Sequence, residues 1–203
     1  MSSLERVQNR TSACDDGGDE NRSAAAAPPP DGEEEEICWL CLDANHESGL
    51  PLRRDCSCRG GSGFAHLPCI VEYAMNKNEQ WRTGYSIDSV DEYDFDIFVT
   101  PWGDCPNCKQ YYGYQLTLDL ANALVSLVEE KYPGDKLIYM HALYQKLDAL
   151  AYRTSQPKQT EEAKQIGNEI LNMIVQMKNG DSSLPENILR ILQHTEALVY
   201  HNL

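Results

Sequence analysis

The chain has 203 residues and a net charge of −15, with 32 acidic against 17 basic side chains. That length allows one or two small domains, and so acidic a chain has no broad basic surface, which excludes nucleic acid as an expected partner. No stretch approaches the roughly 18 apolar residues that cross a bilayer, and the opening MSSLERVQNR lacks the apolar segment of a secretory signal, so a soluble chain without a membrane partner is expected, intracellular and either cytoplasmic or nuclear.

Residues 1–36 form the first segment. It contains SAAAAPPPDGEEEE, has no aromatic residue, and holds ten acidic against three basic side chains. Too little apolar surface is present to offset the entropy of ordering, so an acidic, disordered leader is expected.

Residues 37–110 hold seven of the eight cysteines. In a reducing compartment, clustered cysteines point to metal rather than to disulfides. Their order is Cys38-x2-Cys41, fourteen residues, Cys56-x-Cys58, seven residues, His66-x2-Cys69, thirty-five residues, Cys105-x2-Cys108. These are four pairs, each close enough in sequence for both side chains to reach one ion. Zinc takes four tetrahedral ligands, so four pairs make two closed sites, and with no ligand position left for water both would be structural. A thioredoxin-like redox role for CWLC would need a βαβ pattern, and none surrounds it. Cys14 falls in the leader and His46 fits no pair, so neither is expected to ligate. Gly60, Gly61 and Gly63 lie where the chain passes from one site to the other, and positive φ angles are expected there. Between Cys69 and Cys105 lies an insert with five acidic residues from Asp88 to Asp96. The alternation in YDFDIFV suggests a strand or hairpin.

Residues 111–203 contain no cysteine and read as helix throughout. A first helix over about 115–131 places Leu120, Ala121, Leu124, Leu127 and Val128 on one face. Pro133-Gly134 stops it, and Asp135 caps the next, which runs to about 153 with Leu137, Met140, Tyr144, Leu147 and Ala151 inward. A third helix, about 160–178, starts at Thr160 and turns Ala163, Ile166, Ile170, Met173, Ile174 and Met177 inward. The fourth, about 184–202, does the same with Ile188, Ile191, Leu192, Thr195, Leu198 and Val199. Short links between amphipathic helices imply antiparallel packing. His141, His194 and His201 have no ligand pattern around them and are expected to be structural. Leu198, Val199 and Leu203 would form an apolar edge open to a partner.

The order CWLC, CSC, HLPC, CPNC over residues 38–108 resembles the RING-CH, or RING-variant, zinc finger. The resemblance implies interleaved ligands: Cys38, Cys41, His66 and Cys69 on one zinc, and Cys56, Cys58, Cys105 and Cys108 on the other. It implies a small zinc-stabilised α+β module that recruits a ubiquitin-conjugating enzyme and contributes no catalytic residue of its own. The enzyme would be met by Leu40, by Pro106, by Lys109, and by an aromatic residue four places after Cys69, where the family usually has Trp and this chain has Tyr73. The helical residues resemble antiparallel tetratricopeptide-type hairpins, an all-α segment suited to a protein substrate or partner. The expected function is therefore a RING-type ubiquitin ligase without a covalent intermediate. The alternative is a non-catalytic zinc-dependent adaptor, PHD-like or a degenerate RING, since PHD fingers share the ligand order and Trp102 lies near their Trp position.

Overall fold

From Glu36 to Cys58 the chain has too few apolar residues for a core of its own, and it forms turns and one two-residue strand. The computed structural model describes residues 36–58, 60–84, 92–151, 157–180 and 184–202. The acidic leader, except Glu36, and Asp88 and Asp91 of the insert lie outside the described residues. Strand β1 (Leu52–Arg53) pairs antiparallel with β2 (Ala65–His66), with Leu52 opposite His66. Helix α1 (Leu67–Arg82) follows β2 directly, with proline in its first turn, where a missing N–H costs nothing.

The insert is helical where it is described, which corrects the strand or hairpin expected from its alternation. Helix α2 spans Glu92–Gly103 and buries Phe95, Phe98, Val99 and Trp102. Those positions are spaced i, i+3, i+4 and i+7, one helical face. The alternation of Asp and Phe at residues 94–96 is too short to define a period. Pro101 falls in the last turn, just before the helix ends.

Four further helices follow: α3 (Tyr114–Lys131), α4 (Lys136–Ala151), α5 (Pro157–Gly180) and α6 (Glu186–Asn202). Each packs on the next in the series. The break between α3 and α4 forms as its residues require: Gly134 takes φ +90, and Asp135 accepts the Ile138 N–H at 3.1 Å as the cap of α4. Helix α5 starts at Pro157, not Thr160, because proline's fixed φ suits a first helical position. The inward faces read from the sequence are core, with Leu120, Leu124, Leu147, Ile170, Ile174, Ile191 and Leu192 essentially solvent-free. The expected open edge on α6 is corrected at Val199, which is fully buried, while Leu198 is half-buried and Leu203 lies outside the described residues. Among the described residues no helix is long and apolar enough to cross a membrane.

The cysteine-bearing region and the helices share one apolar cluster, running from Cys38, Ile70 and Ala74 through α2 to Leu116, Leu150 and Val199. Helix α2 is the hub, since it packs on α1, α3, α4 and α6. Phe95 stacks on His141 of α4 with centroids 3.8 Å apart, and Phe98 meets Tyr132 edge-on at 6.1 Å. At the other side of the junction Arg53 of β1 bonds Asp119 of α3 at 2.6 Å and Asp55 at 2.8 Å. Gly113 donates its backbone N–H to the Asp55 carbonyl. A Cβ on Gly113 would stand 3.2 Å from the Asp55 side chain, so glycine lets the two segments cross without displacing it.

One buried polar group ties α1 to α2. Asn78 is almost solvent-free, and with its NH2 group turned towards the carbonyls it donates to Phe98 at 3.0 Å and Ala74 at 3.2 Å. Its oxygen then accepts the Trp102 Nε1–H at 3.0 Å. Replacing Asn78 by Leu fits the volume but strands the indole N–H of Trp102. Urea unfolding of Asn78→Leu should show a loss of about 1–3 kcal/mol, and the losses of Asn78→Leu and Trp102→Phe taken singly should sum to more than the loss of the double variant. A neutral single variant would refute the network.

His141 makes a second measurable junction. Burial brings its imidazole down to about 4, outweighing the Leu137 carbonyl that accepts its Nδ1–H at 2.8 Å. An unfolded histidine titrates near 6.5, so between there and 4 the unfolded chain binds a proton that the folded chain refuses. Stability from this group is therefore complete above pH ~6.5 and falls as pH drops through that window. Relative to the unsubstituted chain, His141→Gln should lose a one-proton slope of unfolding free energy between pH 6.5 and 4. Equal slopes in the two proteins would contradict the assignment.

Candidate metal centre

Two groups of side chains converge, each drawn from distant parts of the sequence. The first is Cys38, Cys41, His66 and Cys69, and the second is Cys56, Cys58, Cys105 and Cys108. Within each group the four candidate ligand atoms all lie within 4.8 Å of one another. The interleaving implied by the family resemblance is thus the pairing the fold produces.

Local backbone explains how each pair forms. Cys38 and Cys41 sit on a tight turn in which the Leu42 N–H returns to the Cys38 carbonyl at 2.8 Å. Cys105 and Cys108 sit on a matching turn closed by the Lys109 N–H to the Cys105 carbonyl at 2.9 Å. In both, the residue after the second cysteine is left-handed, with φ 61 at Leu42 and φ 57 at Lys109. The positive φ angles expected at Gly60, Gly61 and Gly63 are therefore corrected. Residues Gly60–Gly63 form a 3-10 turn, and Gly61 and Gly63 do not have positive φ. Gly63 is a close approach, since a Cβ there would stand 3.1 Å from Arg54 Nε and 3.3 Å from the Cys58 carbonyl, so a larger residue would make both give by a few tenths of an ångström.

His66 and Cys69 come from the β2–α1 corner. His66 is fully buried at the N-cap of α1, and Cys69 lies in the helix's first turn. His66 Nδ1 faces Cys41 Sγ at 3.5 Å and Cys69 Sγ at 3.8 Å, while Nε2 lies 3.3 Å from the Ala44 carbonyl. An Nε2–H donated to that carbonyl leaves the Nδ1 lone pair directed at the three thiols, which is how a neighbouring backbone group orients a ligating imidazole.

The donor sets fit zinc. Ligands held tetrahedrally at about 2.0–2.3 Å stand roughly 3.3–3.8 Å from one another. Cys58 and Cys105 Sγ are 3.6 Å apart, too far for a disulfide of about 2.05 Å. The thiols also titrate as a crowded set. Burial pushes Cys69 up to about 12, and the neighbouring Cys41 and Cys38 add to it. Burial likewise raises Cys58 and Cys56. Burial also pushes the Cys38 thiol up, but the backbone N–H groups of Cys41, His66 and Leu40 outweigh it and bring it down to about 7. The Gln110 backbone N–H brings Cys108 down to about 7 as well. Four thiolates cannot share so small a space without a compensating cation, and a soft divalent ion bound by four protein donors supplies one. Both sets are closed, with no ligand position left for water, so they suit structural zinc.

The four residues expected to meet a conjugating enzyme fall in two places. Leu40 and Tyr73 line one cleft of about 250 Å³ beside the first cluster, together with Glu72 and Asn76. Pro106 and Lys109 stand on the second cysteine turn, outside that lining. Trp39, which sequence reasoning passed over, meets the Tyr73 ring edge-on at 6.1 Å. Its place inside the first cysteine pair was the available signal. Lys77 Nζ lies 5.8 Å from the Tyr73 ring centre. His46 is not a ligand. Its ring tilts against His66 at 5.2 Å, and its Nδ1 pairs with Ser48. Among the described histidines, His141, His194 and His201 lie outside both clusters.

Two interleaved four-ligand clusters on a β-hairpin and helix define a cross-braced zinc module. Residues 38–81 match the family model of the RING-variant domain, so this chain carries such a domain, and the match ends before α2 and the Cys105–Cys108 pair. No curated protein and no solved structure matches the chain.

Structural zinc in finger peptides contributes about 10–16 kcal/mol at neutral pH, more than a small module can lose and stay folded. Elemental analysis of the purified chain should return two zinc ions per molecule. Cys56→Ser or Cys105→Ser should lower that number and unfold the module, whereas Cys14→Ser should leave both unchanged. Well-folded protein with one zinc or none would remove the assignment.

Proposed function

We propose that the chain is a RING-variant ubiquitin ligase, in which residues 37–110 recruit a ubiquitin-conjugating enzyme and the helices of 111–203 hold a protein substrate or partner. The observation that carries this reading is the cleft shared by Leu40 and Tyr73 beside the first cluster. It offers an aliphatic side chain and a flat aromatic one at the rim of a rigid, metal-braced turn, the kind of apolar anchor a loop of a partner protein packs on. In this reading Trp39 props Tyr73 from the side, and Pro106 and Lys109 extend the contact from the second turn. The chain supplies no nucleophile. It orients the enzyme's ubiquitin thioester and leaves the covalent chemistry to the two substrates. An intracellular, reducing compartment, cytoplasmic or nuclear, keeps the thiols available for metal.

A second reading is a zinc-dependent adaptor that binds proteins but no conjugating enzyme. It draws on Tyr73 standing where the family usually has Trp, and on the contacts of its ring with Trp39 and Lys77 within the chain.

Self-ubiquitination across a panel of conjugating enzymes separates the two. Under the ligase reading Leu40→Ala should cut transfer at least tenfold with two zinc ions still bound. Lys109→Asn is the cleaner probe of the second turn, because Asn tolerates the left-handed backbone found there while removing the charge. It should weaken transfer without lowering thermal stability. No transfer with any enzyme would favour the adaptor, whereas full transfer by Leu40→Ala would move the enzyme contact away from this cleft.

A further inference from the structure

At the break between α3 and α4 the chain leaves a cleft of about 270 Å³. Its floor is Val128, its walls are Tyr132 and Tyr139, and Glu129, Asp135 and Lys136 stand around it. The volume is slightly below the roughly 300–1,000 Å³ of small-molecule pockets, so it suits a single side chain. We infer that this cleft binds the cationic side chain of a Lys or Arg in a basic segment of a partner protein.

Three observations point to that occupant. The first is the wall chemistry: two phenol rings beside carboxylates attract a cation by ring quadrupole and charge together. Tyr132 already shows the affinity within the chain, since the Arg82 guanidinium lies 5.6 Å from its ring centre. The second is an unequal hydrogen-bond arrangement. The Tyr139 hydroxyl lies 3.4 Å from Glu129 Oε1 and 3.5 Å from Glu169 Oε1. One phenol proton serves one carboxylate at a time, so the other faces the phenol oxygen with like polarity. A donor cation satisfies both. Lys136 lines the same cleft but pairs with neither Glu129 nor Asp135. The third is the position. The cleft adjoins the C-terminal end of α3, whose dipole favours positive charge, while Asp135, capping the opposing N-terminus of α4, adds a carboxylate. The net charge of −15 favours approach of a basic segment over any other.

The inference concerns binding and does not rest on the ligase reading; if that reading holds, it names the substrate class. The test is a two-dimensional amide NMR titration of the full-length, zinc-loaded chain with four blocked tripeptides, Gly-Xaa-Gly, in which Xaa is Lys, Arg, norleucine or Glu. The Lys and Arg peptides should shift the amides of Tyr132, Gly134 and Tyr139, with dissociation constants of order millimolar. Norleucine and Glu should not shift them. Glu129→Gln should weaken Lys binding roughly fivefold, the scale of one exposed cation contact. Glu169→Gln, on an exposed surface of α5, should weaken it in the same direction and serves where the first variant perturbs the fold. Equal shifts by norleucine or Glu, shifts confined to other residues, or undiminished binding in both variants would overturn the inference. Self-ubiquitination measured on the same samples reports separately on the ligase reading.

Discussion

The second cluster closes only when Cys105 and Cys108 come back to Cys56 and Cys58, with thirty-five residues between Cys69 and Cys105 to be accommodated on the way. That return is the constraint from which the rest of the architecture follows. Helix α1 carries the chain away from the first cluster, and the route back must bury something or remain a long loop. Helix α2 is the solution. Its Phe95, Phe98, Val99 and Trp102 face inward, and the Asn78 amide fixes it to α1 at a buried point where misalignment would leave an unpaired indole N–H. Once held, α2 has apolar surface for a second set of partners, and α3, α4 and α6 pack there. Metal geometry, through a returning helix, thereby positions a helical bundle that contains no ligand.

Some of this was legible in the sequence and some was not, for reasons that lie in particular residues. The ligand pairs could be read because two donors two or three positions apart can reach one ion whatever the surrounding fold. The tail helices could be read because Leu120, Leu124, Ile170, Ile174 and Ile191 repeat at 3.6-residue spacing over many turns, long enough for the period to be unambiguous. Helix α2 could not, since its twelve residues place Asp and Phe alternately at the start, and only the burial of Trp102 shows which period governs. The left-handed residues at Leu42 and Lys109 were hidden because glycine is the usual sign of such a backbone, and here ligand geometry imposes it on ordinary side chains. The stacking of Phe95 on His141 was invisible because it joins residues that meet only after α2 has docked.

The fusion of module and tail bears on how the proposed activity would work. Arg53 reaches Asp119, Gly113 lies against Asp55, and Phe98 meets Tyr132, so three separate contacts hold the helices to the metal-bearing region. A substrate held by such a tail would be presented at a fixed distance from the recruited enzyme, an advantage in effective concentration that a flexible linker lacks. The same rigidity limits the accessible lysines of that substrate to those facing the enzyme.

Helix α1 sets that distance. Tyr73, on the cleft beside the first cluster, and Arg82, whose guanidinium lies over Tyr132 at the cleft between α3 and α4, are nine residues apart on one helix. At 1.5 Å per residue they stand roughly 14 Å apart along its axis. One helix thus reaches from the aliphatic-aromatic cleft, through Tyr73, to a wall residue of the tyrosine-carboxylate cleft, through Arg82. Arg82 already lies over the Tyr132 ring, so a guanidinium arriving at that cleft would have to compete with it for the same ring.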